Sequence, residues 1–132
     1  MNPKKTQIKD IMQPQVKTIS AKTPIEKAAQ MMYEQKVSSL IIEPADERDT
    51  FGILTRKDVI EALIIDRMLE FPQLVEDVMS KPAITASGNL SIENCMKLMR
   101  MAGTRRLPVV DGTKLTGIIS NTDIFISYFR KS

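Results

Sequence analysis

Two short stretches of the chain repeat a pattern of side chains that could begin a helix or bind a sugar. Residues 52–58 read GILTRKD and residues 117–123 read GIISNTD, so each contains a hydroxyl residue followed three positions later by an aspartate. In front of an apolar run this pattern is typical of a helix N-cap, in which the side chains accept hydrogen bonds from free backbone N–H groups. Thr55 with Asp58, and Ser120 with Asp123, are therefore predicted helix caps.

The same residue types at a helix start could also bind a nucleotide. Free N–H groups and the positive end of the helix dipole favour phosphate. A carboxylate that faces the same cleft could accept hydrogen bonds from two neighbouring ribose hydroxyls. Gly52 and Gly117 stand at matching places, where the missing side chain lets a backbone or a ligand approach closely. These residue types are compatible with two roles: capping alone, and capping combined with nucleotide binding.

The composition excludes several kinds of catalytic and metal site within one chain. There is no histidine, and Cys95 is the only cysteine, so neither a zinc site of imidazole and thiolate nor an intramolecular disulfide can form. The usual pairing of a nucleophile with an imidazole base is excluded as well. Carboxylates, lysines and tyrosines remain, but no base–nucleophile pair or metal cage is found among them. We therefore predict that the protein is not an enzyme and has no metal site.

The charges favour a small anionic ligand over a nucleic acid. The net charge is +3, and Lys97, Arg100, Arg105 and Arg106 occur with no acid between positions 94 and 110. These charges, together with four Phe, two Tyr and no Trp, are too few for a nucleic-acid-binding face. No apolar run is long enough to span a bilayer, and the opening MNPKKTQIKD lacks the apolar segment of a secretory signal. We expect cytoplasmic localisation and no membrane partner.

An internal repeat predicts the architecture. IKDIM at 8–12 recurs as VEDVM at 75–79, 67 residues later. The offset falls to 65 at the two glycine motifs, because the turn EPADERDTF is two residues longer than its counterpart VDGTKLT. We therefore divide the chain into a first repeat with the N-terminal segment, residues 1–70, and a second repeat, residues 71–132.

Each repeat is predicted to contain a strand, a helix, two strands and a second helix. Apolar residues at helical spacing predict the first helices, and they are Ile25, Ala28, Ala29 and Met32 in one copy and Ile92, Cys95, Met96 and Met99 in the other. Thr23 is the predicted cap of the earlier helix and Pro24 its first residue. Aliphatic runs at 39–43, 51–54, 107–110 and 115–120 predict buried strands. Cys95 is interpreted as a small core residue.

The repeated pattern resembles a pair of cystathionine β-synthase (CBS) domains. The resemblance lies in DIMQPQVKTISAKTPIEKAAQMM, VSSLII and GILTRKDVI in the first copy, and in DVMSKPAITASGNLSIENCMKLM, GTRRLPVVD and GIISNTDIF in the second. These segments cover the chain from about residue 8 to residue 129. The resemblance implies an α+β fold of two pseudo-symmetric CBS repeats, β-α-β-β-α each, packed through their sheets and forming two clefts.

The resemblance also implies the ligand and its contacts. The clefts of CBS pairs commonly bind adenosine-containing ligands, so AMP, ADP or ATP is expected, with S-adenosylmethionine or NAD as alternatives and no required cofactor. Asp58 and Asp123 would hold the ribose, and Thr55 and Ser120 would contact ribose or phosphate. The segments that open the copies would face adenine, in a crossed arrangement: Val16, Lys17 and Thr18 with Asp123, and Ala83, Ile84 and Thr85 with Asp58.

Phosphate binding is expected to differ between the two clefts. Arg105 and Arg106 stand where the first copy has Ser38 and Ser39. In related pairs a basic residue here points at phosphate, which a guanidinium can bind through two hydrogen bonds; the alternative is that both arginines are solvated charges at a strand edge. Residues directly before the two aspartates can reach phosphate too: Arg56, Lys57, Asn121 and Thr122. One cleft is expected to be empty or selective, because the sequence departs from the family pattern at Ile41, Ile42, Ala86 and Gly88.

We interpret the chain as a regulatory module in signal transduction that senses an adenine nucleotide and changes shape or partner affinity. The resemblance implies a homodimer, with an unidentified regulated protein as a further partner. The apolar side of the second helices is the expected contact, and burial of this side within the chain is the alternative: Ile60, Leu63, Phe125 and Phe129. A ligand-free dimerisation or scaffold module, in which the aspartates only cap helices, is the second hypothesis. A nucleotide-converting enzyme is the third.

Overall fold

The computed structural model describes residues 1–66 and 73–130. Contacts divide the chain into two compact units, one formed by Lys17–Ala83 and the other by Met1–Val16 with Ile84–Ser132. The predicted boundary between residues 70 and 71 lies outside the described residues. The units differ from the predicted division, because the segment that opens each repeat packs in the unit that holds the other repeat's helices.

The first repeat supplies a three-stranded sheet and two longer helices. Its elements are β1 (Thr18–Ile19), α1 (Ile25–Gln35), β2 (Ser39–Ile42), β3 (Gly52–Thr55) and α2 (Arg56–Ile64), followed by the short helix α3 (Val75–Val78). The sheet has the order β1-β2-β3, with β1 parallel to β2 and β3 antiparallel to β2. The parallel pair is joined by α1, as a parallel connection requires a crossover.

The second repeat has the same order of elements. A 3-10 turn at Ile8–Asp10 precedes it in its unit, and its elements are β4 (Ala86–Ser87), α4 (Ile92–Ala102), β5 (Arg106–Asp111), β6 (Lys114–Ser120) and α5 (Asn121–Phe129). The sheet order is β4-β5-β6, again one parallel and one antiparallel pair. The predicted α+β fold of two β-α-β-β-α repeats is confirmed, and each bound of the four predicted aliphatic strands lies within one residue of its observed position.

The helix stripes are buried where the spacing predicts. Ile25, Ala28 and Met32 of α1 belong to the core of one unit, and Ile92, Cys95 and Met99 of α4 belong to the core of the other. Burial raises the pKa of the Cys95 thiol from 9.0 to about 11. Cys95 is therefore a small core residue, as its alignment with Ala28 indicates. Each stripe is narrower than expected, since Ala29 is only half-buried and Met96 is 42% exposed.

The predicted start of α1 is wrong by one residue. Pro24, not Thr23, occupies the N-cap position, and no side chain caps the helix there. The backbone of Gln73 takes over this role, because its carbonyl accepts the hydrogen bond of the Ile25 N–H group (3.0 Å). The carbonyl of Thr23 in turn accepts from the N–H of Val75 (2.8 Å). A free helix N–H needs an acceptor of any kind, and here a distant segment supplies it.

The opening segments pair with β3 and β6. Gln13 and Ile118 exchange two backbone hydrogen bonds of 2.9 Å within one unit, and Ser80 and Ile53 exchange two of 2.9 Å within the other. This pairing is the physical reason why each opening segment leaves its own repeat. No helix in the described part of the chain is both long and apolar enough to cross a membrane.

Candidate functional site

Both glycine motifs form the predicted strand-to-helix junctions with reciprocal caps. The N–H of Asp58 donates to Oγ1 of Thr55 (3.3 Å), while the N–H of Thr55 donates to Oδ2 of Asp58 (2.9 Å). In the other unit the N–H of Asp123 donates to Oγ of Ser120 (3.1 Å), and the N–H of Ser120 donates to Oδ2 of Asp123 (2.9 Å). The predicted capping of α2 and α5 is therefore confirmed, and all four side chains are half-buried.

The two carboxylates differ in their other hydrogen bonds. Oδ1 of Asp123 accepts a hydrogen bond from the side-chain amide of Gln13 (3.1 Å), and its Oδ2 accepts from the Ser120 hydroxyl (2.9 Å). Asp58 has neither of these contacts among the residues that the structure describes. Gln13 is not among the predicted site residues, although the repeat contains a signal for it: Gln13 follows IKDIM just as Ser80 follows VEDVM. The difference in reach between these two side chains becomes visible only in three dimensions.

Gly52 and Gly117 make room for the opening segments. A Cβ at position 52 would lie 2.9 Å from Sδ of Met79 and 3.3 Å from the carbonyl oxygen of Ser80. A Cβ at position 117 would lie 2.6 Å from Sδ of Met12 and 2.7 Å from the carbonyl oxygen of Gln13. The close approach that the sequence predicts is therefore made by the opening segments of the chain itself, through a methionine side chain and a backbone carbonyl at each junction.

The structure places the aligned serines and arginines at equivalent positions. The carbonyl of Ser38 accepts from the N–H of Arg56, and the carbonyl of Arg105 accepts from the N–H of Asn121, both at 2.9 Å. Ser39 pairs with Thr55 across its sheet as Arg106 pairs with Ser120. Each pair thus lies at the start of α2 or α5. Arg105 is exposed, whereas Arg106, Ser38 and Ser39 are half-buried.

The first predicted adenine-facing segment is divided along the chain between the two units. Val16 is half-buried and ends the segment that belongs to the unit of Asp123, whereas Lys17 and Thr18 begin the other unit. Lys17 is exposed, and its carbonyl accepts a hydrogen bond from β2 (3.0 Å). The hydroxyl of Thr18 donates to Oε1 of Glu43 (2.7 Å), a partner that is not among the predicted site residues.

The second such segment is divided in the same way. Ala83 belongs to the unit of Asp58, and its N–H donates to the carbonyl of Phe51 (2.8 Å), directly before β3. Ile84 is 47% exposed and Thr85 is half-buried, and both belong to the other unit, where β4 follows them. Val16 and Asp123 therefore share one unit, and Ala83 and Asp58 share the other.

The residues directly before the aspartates are exposed. Arg56 and Lys57 are the first residues of α2, and Lys57 forms an ion pair with Glu61 (3.9 Å) one turn later. Asn121 and Thr122, the first residues of α5, line a hollow of about 530 Å³ beside α4. The other residues of this hollow are apolar side chains of α4 and α5: Met96, Ile124, Phe125, Tyr128 and Phe129.

A smaller hollow lies in the same unit, between the N-terminal segment and the two helices. Its volume is about 330 Å³, and Met1 and Pro3 close one side of it. Three charged residues of α4 also line it: Glu93, Lys97 and Arg100.

Among the described residues, no group of three or more His, Cys, Asp or Glu side chains could hold a metal ion.

Comparisons with known proteins agree with this architecture. The sequence model of the CBS domain matches residues 8–65 and 75–129. The CBS domain-containing protein YhcV of Bacillus subtilis is 32% identical over 122 residues, which are 91% of this chain and 84% of that protein. The hexameric CBS-CP12 protein from bloom-forming cyanobacteria has a similar structure, with a TM-score of 0.84 at 30% identity, over 96% of this chain and 76% of that chain.

A third similar protein was solved with ligands bound. The CBS domain pair of protein MJ0100, in complex with 5′-methylthioadenosine and S-adenosyl-L-methionine, gives a TM-score of 0.79 at 26% identity. The similarity covers 93% of this chain and 95% of that chain. Because the family model matches both repeats, and the described fold has the same two halves, this chain belongs to the CBS domain family.

Proposed function

We propose that this chain is a regulatory module that binds an adenosine-containing ligand of the AMP, ADP or ATP type at its two hydroxyl–aspartate motifs, without converting it chemically. CBS domain pairs are regulatory ligand-binding modules. The observation that carries the proposal is the hydrogen bonding of Asp58, whose carboxylate caps α2 through one oxygen and has acceptor capacity left on the other.

A ribose has two neighbouring hydroxyl groups that can donate to one carboxylate. Oδ2 of Asp58 accepts from the N–H of Thr55 at 2.9 Å, and no hydrogen bond from the described residues reaches Oδ1. An ionised carboxylate offers roughly four acceptor positions. Asp58 can therefore accept both ribose hydroxyls and remain the cap of α2, so capping and ligand binding are compatible in one side chain.

Positive groups beside the helix starts favour a ligand that carries phosphate. Arg56 and Lys57 begin α2, and Arg105 lies at the start of α5, where its carbonyl accepts from the first helical N–H (2.9 Å). The N-terminus of a helix adds the positive end of its dipole. We therefore favour a nucleotide over an uncharged nucleoside.

One experiment tests this proposal against another ligand and against another function. S-adenosylmethionine is the second candidate ligand, because the similar MJ0100 domain pair was solved with it. A ligand-free scaffold is the alternative function, since the carboxylates would then serve only as caps. Titration calorimetry with adenosine, AMP, ATP and S-adenosylmethionine distinguishes them. Heat of binding is expected for at least one nucleotide, and its absence for all four ligands would leave the scaffold function.

A matched pair of variants separates ligand binding from capping. Asp58→Ala removes the carboxylate half of the reciprocal cap of α2, and Asp77→Ala removes a carboxylate that accepts from the N–H of Leu74 at the same distance, 2.9 Å, at the start of α3. Loss of a cap destabilises a protein by about 0.5–2 kcal/mol, so both variants should unfold more easily. Only Asp58→Ala should weaken nucleotide binding, by about tenfold or more. Equal effects of the two substitutions on affinity would contradict a direct contact.

We also propose that two copies associate through α5. Three aromatic side chains of α5 are largely exposed: Phe125 (66%), Tyr128 (57%) and Phe129 (67%). The ring centroid of Phe129 lies 5.1 Å from the ring centroid of each of the other two. Clustered exposed aromatic residues of this kind commonly mark an interaction surface. Of the other predicted contact residues, Ile60 is 52% exposed, but Leu63 packs against the core of its own unit. Leu63 is therefore better explained by the alternative of burial within the chain.

A further inference from the structure

The strongest difference between the two hydroxyl–aspartate motifs comes from a residue outside them. The side-chain amide of Gln13 donates to Oδ1 of Asp123 (3.1 Å), across 110 positions of the chain. Gln13 is exposed, so this contact is not enforced by burial in the core. It lies on the oxygen that does not take part in capping α5.

Ser80 occupies the equivalent position beside the other motif. Gln13 and Ile118 exchange two backbone hydrogen bonds of 2.9 Å, and so do Ser80 and Ile53. The two opening segments therefore lie against β6 and β3 in the same manner. The polar group of a serine side chain lies two atoms closer to the backbone than the amide nitrogen of glutamine, and none of the hydrogen bonds among the described residues joins Ser80 to Asp58.

The acceptor positions on the two carboxylates can be counted. Oδ2 of Asp123 accepts from the N–H and the hydroxyl of Ser120, both at 2.9 Å, and Oδ1 accepts from Gln13. Of roughly four acceptor positions on a carboxylate, these bonds leave about one. Within the described ranges, Asp58 accepts only from the N–H of Thr55, which leaves about three. A ribose diol needs two.

We infer that Gln13 is the residue that makes the two sites unequal, by occupying the acceptor on Asp123 that a ribose diol requires. This inference rests on the function proposed above and concerns which of the two sites a ligand fills first. The Asp58 site accepts the diol without losing a hydrogen bond. The Asp123 site accepts it only when the Gln13 amide moves to solvent, so it binds ribose more weakly and fills second.

The experiment isolates each site and exchanges the two side chains. Asp58→Ala leaves the Asp123 site, and Asp123→Ala leaves the Asp58 site. Gln13→Ser is introduced into the first background and Ser80→Gln into the second. Binding of adenosine is measured by titration calorimetry, because adenosine carries the diol but no phosphate. The matched probe is 2′,3′-dideoxyadenosine, which lacks both hydroxyls.

Gln13→Ser should raise the affinity of the Asp123 site for adenosine by about three- to tenfold, the range expected when one side-chain hydrogen bond no longer has to be broken. Ser80→Gln should lower the affinity of the Asp58 site by a similar factor. Neither substitution should change the binding of 2′,3′-dideoxyadenosine. Positions 13 and 80 are both exposed, so the melting temperatures of the variants should stay close to those of their backgrounds.

The contrary outcomes are distinct. Adenosine binding that is unchanged or weakened by Gln13→Ser would overturn the inference while the proposed function stands. An equal gain for 2′,3′-dideoxyadenosine would overturn it as well, because the effect would then not act through the diol. If the unmodified protein binds neither adenosine nor any adenine nucleotide, the inference and the proposed function both fail.

Discussion

Replacement of Gly117 by alanine tests whether the opening segment is held against β6 by direct backbone contact. The new Cβ would lie 2.7 Å from the carbonyl oxygen of Gln13 and 2.6 Å from Sδ of Met12. The thioether can rotate away, but the carbonyl cannot, because Gln13 and Ile118 are joined by two backbone hydrogen bonds of 2.9 Å. Relief of the clash therefore requires movement of the whole segment.

The expected loss of stability follows from two destabilising contributions and one that offsets them. Overpacking that shifts a backbone destabilises a protein by about 1–3 kcal/mol, and the hydrogen bonds at risk add about 0.5–1.5 kcal/mol each. Loss of glycine's freedom in the unfolded chain offsets about 0.4–1 kcal/mol. Gly117→Ala should thus lower the free energy of unfolding by roughly 1–5 kcal/mol, the upper end applying if both hydrogen bonds are lost. At about 4 °C per kcal/mol for a chain of this size, the melting temperature should fall by roughly 4–20 °C.

Gly52→Ala is the matched control at the equivalent position. Its Cβ would lie 2.9 Å from the flexible thioether of Met79, and 3.3 Å from the carbonyl oxygen of Ser80. Rotation of one methionine relieves most of this contact, so a loss of no more than about 1 kcal/mol is expected. Urea unfolding followed by circular dichroism measures both variants. A Gly117→Ala protein as stable as Gly52→Ala would refute the backbone-contact reasoning.

Two further predictions concern acid stability and assembly. The N–H of Ala45 and the ammonium of Lys81 hold the pKa of Asp49 at about 2, below its ordinary 3.8. The contribution of the Asp49 carboxylate to stability is therefore present above pH 3.8 and is lost as the pH falls toward 2. Asp49→Asn should remove this part of the acid transition, whereas Glu47→Gln should not. Phe129→Ala should shift the mass measured by light scattering from dimer toward monomer. The control is Tyr33→Ala, a change at an exposed aromatic residue of α1, which should leave the mass unchanged. If the unsubstituted protein is a monomer at all concentrations, the proposed α5 interface is contradicted.

The order of elements in each repeat could be predicted from sequence because the signals are local. The spacing of apolar residues predicts α1 and α4, whose buried faces are the predicted ones, and the hydroxyl–aspartate pairs predict the starts of α2 and α5. A cap involves residues three positions apart, so its geometry is nearly complete in the sequence. The start of α1 could not be predicted in this way, because a carbonyl of Gln73, nearly fifty positions away, accepts its first N–H.

Sequence by itself determined that the chain is a duplication, that each copy ends a strand at a capped helix, and that an aspartate stands at both helix starts, since propensity and periodicity act over a few residues. The crossing of the opening segments was expected only from the family resemblance, and the tertiary structure decided that the crossing falls between Val16 and Lys17 and between Ala83 and Ile84. Only the tertiary structure decided that Gln13 reaches Asp123 whereas Ser80 makes no such contact with Asp58. Hydrogen bonds between residues 110 positions apart depend on strand pairing and on side-chain length to within an ångström or so, and neither quantity is encoded in local patterns.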